Sequence, residues 1–244
     1  MIVTKNAVYL HVPKTGGHWM RRVLESKTEY WIEHGVPTEK DMRPYVFSFV
    51  RNPWDWHVSG YFYLASGSEV NEIKYKSIID SLLNVSTKDH AKGFDAFLNL
   101  VCHYNEAEIK KWIQFSKLRK MVELSKINML HNPVLMHQAL KRDVVYATTL
   151  NWLGSNTSLY EVFYNRYCKV STHIGKYENL RNDFLEFTRM AGDLDPVVEK
   201  AIIKHPGVNV TKKRVDYRKC YNDSQIELVY NTTRFLDQYG YTFK

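Results

Sequence analysis

The chain has 244 residues, 44% of them apolar, which is ordinary usage for one large α/β domain or two small ones. No run approaches the ~18 apolar residues of a membrane-spanning helix, and the first residues lack the pattern of a signal peptide. The three cysteines are scattered, which argues against a disulfide framework. We therefore expect a cytoplasmic protein. The formal net charge of +8 predicts an anionic partner: nucleic acid, a nucleotide or an acidic glycan.

The first structural unit predicted is a strand, a glycine loop and a helix. Residues 7–12 (AVYLHV) are almost continuously apolar, which is typical of a strand covered on both faces. In the KTGG loop that follows, the amides of Gly16, Gly17 and His18 would lie at a helix N-terminus and attract an anion, and Lys14 would add a full charge. The alternative is an ordinary turn. The lysine precedes the glycines, whereas it follows them in the P-loop of kinases.

A second strand and helix follow at YVFSFVRNPWDWHVSGY. The sequence predicts a buried strand over Tyr45–Val50, with Asn52 as N-cap and Pro53 as the first helical residue. Arg51 leaves the strand just before this helix and Ser59 lies about two turns into it, so a guanidinium and a hydroxyl would grip a phosphate from two sides. The alternative is that Arg51 pairs with Asp55 and Ser59 only fills the helix surface.

Later segments continue the alternation of strands and helices. Residues 29–33 and 170–178 favour strands, residues 66–150 are mostly helical in pattern, and Ser224 with Glu227 predicts a capping box at the last helix. The chain contains no repeat, low-complexity tract or linker rich in Pro, Gly or Ser. The sequence therefore predicts a single α/β domain, residues 1–244, with a largely parallel sheet.

Together these motifs resemble the sulfotransferases that use 3′-phosphoadenosine 5′-phosphosulfate. PKTGG is similar to that family's 5′-phosphosulfate loop, FVRNPWDWHVSGY to its 3′-phosphate motif, and IGKYENLRNDF to its segment near the adenine. The order NVT…YRKCYN…LVYNTTRFLDQYGYTF is similar to the carbohydrate branch. The resemblance implies a P-loop-like three-layer fold, with a central, largely parallel sheet flanked by helices. It also implies metal-independent transfer of a sulfuryl group to a hydroxyl of a carbohydrate or glycolipid.

The resemblance also implies a role for individual residues. Lys14 would neutralise the bridging oxygen as the sulfuryl group departs, and Tyr177 would lie near the adenine or ribose. Arg51 and Ser59 would hold the 3′-phosphate, and Lys213 or Arg214 in the basic TKKR segment would touch a phosphate. The predicted 5′-phosphate loop comprises Thr15, Gly16, Gly17, His18 and Trp19. The product would be adenosine 3′,5′-bisphosphate, and residues 66–150 would cover the acceptor site.

A general base must take the proton of the acceptor hydroxyl, and a histidine suits this role near neutral pH. His34 is the first choice, because the carbohydrate enzymes that this sequence resembles often have a histidine between the two cofactor motifs. His18 is the second choice, although it stands where the family usually has Thr or Ser, and Glu33 is a further candidate. Five other histidines are expected to be structural or exposed: His57, His131, His137, His173 and His205.

Two other functions fit parts of the sequence. A P-loop kinase would explain a glycine loop after a strand, but it would need a lysine after the glycines and a ligand for Mg²⁺. A non-catalytic nucleic-acid-binding protein would explain the net charge and the 14% aromatic content, but the chain has no recognisable RNA- or DNA-binding motif. We therefore expect no specific nucleic-acid partner.

Overall fold

In the computed structural model of the protein, residues 1–32, 35–66, 89–103, 158–206 and 215–243 are described. Strands and α-helices are interspersed along the chain, and short 3-10 or π turns connect several of them. In chain order they are β1 Ile2–Val3, β2 Ala7–Tyr9, α1 Gly17–Val23, β3 Tyr30–Trp31, β4 Tyr45–Val50, α2 Pro53–Ser66, α3 His90–Cys102, α4 Leu159–Phe163, β5 His173–Lys176, α5 Leu180–Met190, α6 Pro196–Lys204 and α7 Asp223–Thr232. The turns are Glu39–Asp41, Tyr164–Cys168, Tyr177–Asn179, Tyr217–Lys219 and Arg234–Tyr239.

The described strands form one five-stranded mixed sheet in the order β3-β1-β2-β4-β5. Strand β4 runs parallel to both β2 and β5, whereas β1 is antiparallel to β2 and to β3. The α/β class is thus confirmed, but the prediction of a largely parallel sheet is wrong for the half that contains β1 and β3. The cause is a tight turn after β1, closed by the hydrogen bond from the Thr4 amide to the Ala7 carbonyl at 2.9 Å.

Both faces of the central strands β2 and β4 are covered, as the continuous apolar run in residues 7–12 predicted. Successive residues of β2 and β4 point to opposite sides because side chains alternate along a strand. One face packs against α1, α5 and α6, and the other packs against α2, α4 and the Arg234–Tyr239 turn. The first core includes Ala7, Tyr9, Phe47, Phe49, Trp19, Phe184 and Val198; the second includes Val8, Val46, Val50, Trp56, Tyr160 and Leu236.

The parallel strands β2, β4 and β5 end at the same edge of the sheet, and the chain turns into a helix after each. The turn into α2 follows the prediction: Asn52 Oδ1 accepts hydrogen bonds from the amides of Trp54 (3.1 Å) and Asp55 (3.3 Å), and Pro53 begins the helix. This edge brings together the glycine loop after β2, Arg51 after β4 and Tyr177 after β5.

Helix α7 has a different cap from the one predicted. The Asn222 side chain accepts from the Gln225 amide at 2.9 Å, and Gln225 Oε1 accepts from the Asn222 amide at 3.0 Å. The prediction of Ser224 with Glu227 is therefore wrong by two residues, because asparagine is at least as good an N-cap as serine and glutamine completes the capping box.

Of the segment predicted as a helical insertion, residues 66–150, the structure describes only Ser66 and residues 89–103. These contain α3, which the Asp89 side chain caps and which packs against α2 and α7. The rest of the predicted insertion lies outside the described residues. No helix in the described part of the chain is both long and apolar enough to cross a membrane.

Candidate functional site

Arg51 connects the ends of the three parallel strands. Its Nη1 donates to the Lys14 carbonyl oxygen at 2.8 Å, and its Cζ lies 4.2 Å from the centroid of the Tyr177 ring. Its Nε and Nη2 both donate to Asp55 Oδ2, at 2.9 and 2.8 Å. The alternative pairing of Arg51 with Asp55 is thus confirmed. The same guanidinium also joins the glycine loop to the turn after β5.

The backbone of Arg51 is fixed by a second, buried contact. The Tyr160 hydroxyl accepts a hydrogen bond from the Arg51 amide and donates one to its carbonyl, each at 2.8 Å. The Tyr160 side chain is fully buried and stacks on Trp56, with ring centroids 4.5 Å apart. The position of Arg51 at the end of β4 is therefore set by the core behind it and is largely preorganised.

Lys14 brings a second cation to the same place. Its backbone has a φ of 67°, a left-handed conformation that is unusual for a residue with a side chain. Its Nζ lies over the Tyr63 ring, 4.2 Å from the centroid. Burial, and then repulsion from the Arg51 charge, lower the pKa of Lys14 from 10.5 to about 8. Two cations close together, of which only Arg51 is paired with a described carboxylate, favour an anion beside them.

Ser59 shares one face of α2 with the residues that contact Arg51 and Lys14. Asp55, Ser59 and Tyr63 are spaced four residues apart on α2, so they share one face of the helix. Asp55 pairs with Arg51 at one end of this row, and Tyr63 contacts the Lys14 ammonium at the other. The predicted hydroxyl is therefore on the helix face that carries both cations.

The glycine loop requires glycine at both positions, for two different reasons. Gly16 has a φ of 87°, and a Cβ there would also come within 2.7 Å of Leu180 Cδ2. At Gly17 a Cβ would lie 1.9 Å from Cδ2 of the His11 ring. Among the described residues, none accepts a hydrogen bond from the amides of Gly16, Gly17 and His18. Three donors of the loop thus remain available to an anion.

Two predicted loop residues have side chains that turn inward. The Thr15 side chain is fully buried, and its Oγ1 donates to the Val12 carbonyl at 2.7 Å. The Trp19 ring is buried against Phe184, and its Nε1 donates to the His205 carbonyl at 3.3 Å. Helical periodicity places the Trp19 indole in the core, and the role of Trp19 in the 5′-phosphate loop stays a prediction.

The described histidines differ in exposure; His131 and His137 lie outside the described residues. His18 is exposed, and its ring meets the edge of His11 with centroids 5.3 Å apart; sequence reasoning did not identify His11. His57 is fully buried with Nδ1 2.7 Å from the Pro53 carbonyl oxygen, and burial lowers its pKa to about 4, which fits the expected structural role. His34 lies outside the described residues, as do Glu33, Lys213 and Arg214.

Glu178 is a further residue of the site that sequence reasoning missed. One carboxylate oxygen, Oε1, accepts from the Asn52 amide at 2.7 Å, and the other accepts from the Tyr241 hydroxyl at 2.8 Å. The only local signal was its position directly after Tyr177. A single glutamate beside a tyrosine has no pattern that distinguishes it from an exposed, solvated residue.

The arrangement gathers positive charge at one edge of the sheet, which suits an anionic ligand. Arg51, Lys14 and the loop amides supply this charge, and the Tyr177 ring lies close to both Arg51 and Gly16. Within the described ranges, no group of three or more His, Cys, Asp or Glu side chains is close enough to hold a metal ion. Compared with models of protein families, with curated protein sequences and with solved structures, the chain has no significant match.

Proposed function

We propose that this protein is a sulfotransferase with a P-loop-like fold, which moves the sulfuryl group of 3′-phosphoadenosine 5′-phosphosulfate to a hydroxyl of a carbohydrate or glycolipid. One observation carries the proposal. The Arg51 guanidinium donates to the Lys14 carbonyl and stacks on Tyr177, so residues from all three motifs of the resemblance meet at one edge of the sheet. In open α/β sheets, ligands bind at the carboxyl ends of the strands.

The 3′-phosphate is proposed to bind at Arg51 and Ser59. A guanidinium has five N–H donors. Three are used by Asp55 and by the Lys14 carbonyl, which leaves two for a phosphate. The Tyr177 ring would contact the adenine or ribose, and the 5′-phosphosulfate would lie against the glycine-loop amides. In this pose both ends of the nucleotide meet positive charge.

Lys14 is proposed to stabilise the leaving group. The acceptor oxygen attacks sulfur, the bond from sulfur to the 5′-phosphate oxygen breaks, and negative charge develops on that oxygen. The pKa of Lys14, about 8, keeps it mostly protonated at pH 7. The acceptor proton passes to a general base, for which His18 in the described loop and His34 remain the candidates. The two cations supply the charge that Mg²⁺ supplies in kinases.

A thermal-shift series separates this proposal from its alternatives. Adenosine 3′,5′-bisphosphate at ~100 times its dissociation constant stabilises a folded protein by about 2.7 kcal/mol, which corresponds to a rise of roughly 5–10 °C for a chain of this size. ATP with Mg²⁺ and a single-stranded oligonucleotide test the kinase and the nucleic-acid-binding alternatives. A shift with either of these, but none with the bisphosphate, contradicts the proposal.

Two variants localise the binding. Ser59→Ala should weaken the bisphosphate while leaving adenosine 5′-phosphate unchanged, because only the former has a 3′-phosphate. Ser26→Ala, at an exposed position after α1, is the matched control.

Turnover is then measured with radiolabelled cofactor over a panel of sugars and glycolipids. His18→Ala or His34→Ala should reduce turnover without changing bisphosphate affinity; unchanged turnover in both rejects a histidine base at these positions.

A further inference from the structure

The carboxylate of Glu178 joins three parts of the chain at the anion site. Its Oε1 accepts from the Asn52 amide, directly after Arg51, and its Oε2 accepts from the Tyr241 hydroxyl. Glu178 itself directly follows Tyr177, whose ring lies over the Arg51 guanidinium. Glu178 thus connects the residue after Arg51 to the residue after Tyr177. Through Tyr241 it also connects these two positions to the C-terminal segment.

The C-terminal segment, residues 239–243, is fastened along the same junction. Lys176 Nζ donates to the Tyr239 carbonyl at 2.6 Å, and Asn52 Nδ2 donates to the Thr242 carbonyl at 3.3 Å. The Phe243 ring packs edge-on against Trp54, at the start of α2, with centroids 5.5 Å apart. These contacts follow β5 on one side and β4 on the other, so the segment bridges the two strand ends that hold Tyr177 and Arg51.

A carboxylate this close to an anion site needs an explanation, because its charge opposes binding of a phosphate. Both oxygens of Glu178 accept hydrogen bonds, which disperses the charge and fixes the side chain. Burial and the Glu178 charge raise the pKa of Tyr241 far above its ordinary value, so this hydroxyl stays protonated and remains a donor. Glu178 is exposed, so these two hydrogen bonds hold its carboxylate in place.

We propose that Glu178 is a positioning residue of the anion site: it holds Tyr177 over Arg51 and, through Tyr241, makes affinity for the 3′-phosphate depend on the C-terminal segment. The part that concerns the 3′-phosphate rests on the proposed function. Glu178 does not touch the nucleotide in this arrangement. It acts through the backbone of Asn52 and through the turn that carries Tyr177.

Nucleotide affinities of three variants test this role. Losing a hydrogen-bonded carboxylate should weaken adenosine 3′,5′-bisphosphate about tenfold in Glu178→Ala, and adenosine 5′-phosphate by no more than about threefold. Glu178→Gln should restore the affinity, because its amide oxygen still accepts from Asn52 and its charge is gone. Glu186→Ala removes an exposed carboxylate of α5 and should change nothing. Equal losses for both nucleotides, or no rescue by glutamine, overturn the proposal.

Hydrogen–deuterium exchange tests the support without any nucleotide. Glu178→Ala and Tyr241→Phe should speed exchange in the peptide covering residues 51–55, whose Asn52 amide loses or loosens its acceptor, while Glu186→Ala leaves it unchanged. Unchanged exchange in the first two variants overturns the positioning role. Failure of the wild-type protein to bind the bisphosphate contradicts the proposed sulfotransferase, whereas the exchange result decides the role of Glu178 independently.

Discussion

Replacing Lys14 by methionine should make the protein more stable and weaken the binding of anions that we propose. The two side chains have similar length, but methionine has no charge to desolvate. Burial and the nearby Arg51 charge lower the pKa of Lys14 from 10.5 to about 8. At about 1.4 kcal/mol for each factor of ten in proton affinity, the charged form costs the folded state on the order of 3 kcal/mol at pH 7. Lys14→Met removes this cost.

The pH dependence follows from the sign of the pKa change. Because the folded-state pKa lies below the unfolded value, Lys14 is charged in both states below pH 8 and the full cost applies there. Between pH 8 and 10.5 the folded protein loses the proton first, so the cost declines, and above 10.5 it disappears. The stability difference between Lys14→Met and wild type should therefore fall to about 1.4 kcal/mol at pH 9.5.

Urea unfolding at pH 7 and pH 9.5 measures these differences, provided that the denaturant dependence is the same in all variants. Lys5→Met, at an exposed position in the turn between β1 and β2, changes the net charge equally and should have little effect at either pH. Adenosine 3′,5′-bisphosphate should raise the melting temperature of Lys14→Met less than that of wild type. A variant less stable than wild type at pH 7, or a difference independent of pH, would refute the reasoning.

Three further predictions concern the same site. Gly17→Ala should lose about 1–3 kcal/mol of stability because its Cβ overlaps the adjacent imidazole, whereas Gly60→Ala in α2 meets only ordinary contacts and should gain up to about 1 kcal/mol, as measured by urea unfolding. Arg51→Met should cost about 3–5 kcal/mol by leaving the buried Asp55 carboxylate unpaired, and adding Asp55→Asn should recover part of that loss; additive losses would contradict the pairing. Bisphosphate affinity, followed by calorimetry from pH 7 to pH 10, should fall above pH 8 as Lys14 loses its proton, and a flat profile would argue against its role.

The sequence by itself was sufficient to predict the second structural unit, strand β4 and the start of helix α2. The apolar run predicts β4 with its observed bounds, Tyr45–Val50, and Asn52 with Pro53 predicts where α2 begins. These features are local: a strand covered on both faces has no polar alternation, and a cap acts on amides two or three residues away. The glycine loop after β2 and the alternative pairing of Arg51 with Asp55 could also be predicted, because both depend on residues close together in the sequence.

Only the tertiary structure decided how these local units meet. Arg51 reaches the carbonyl of Lys14, which is 37 residues away, and Glu178 accepts from the amide of Asn52, which is 126 residues away. Neither contact has a periodic or compositional signal, because each depends on β2, β4 and β5 lying side by side in the sheet. A strand was predicted over residues 29–33, which contain β3, but β1 escaped prediction because a two-residue strand is too short to show a pattern, and without β1 the antiparallel pairing could not be inferred. The sequence supplies the charged groups of the site, and the order of the strands determines which of them lie together.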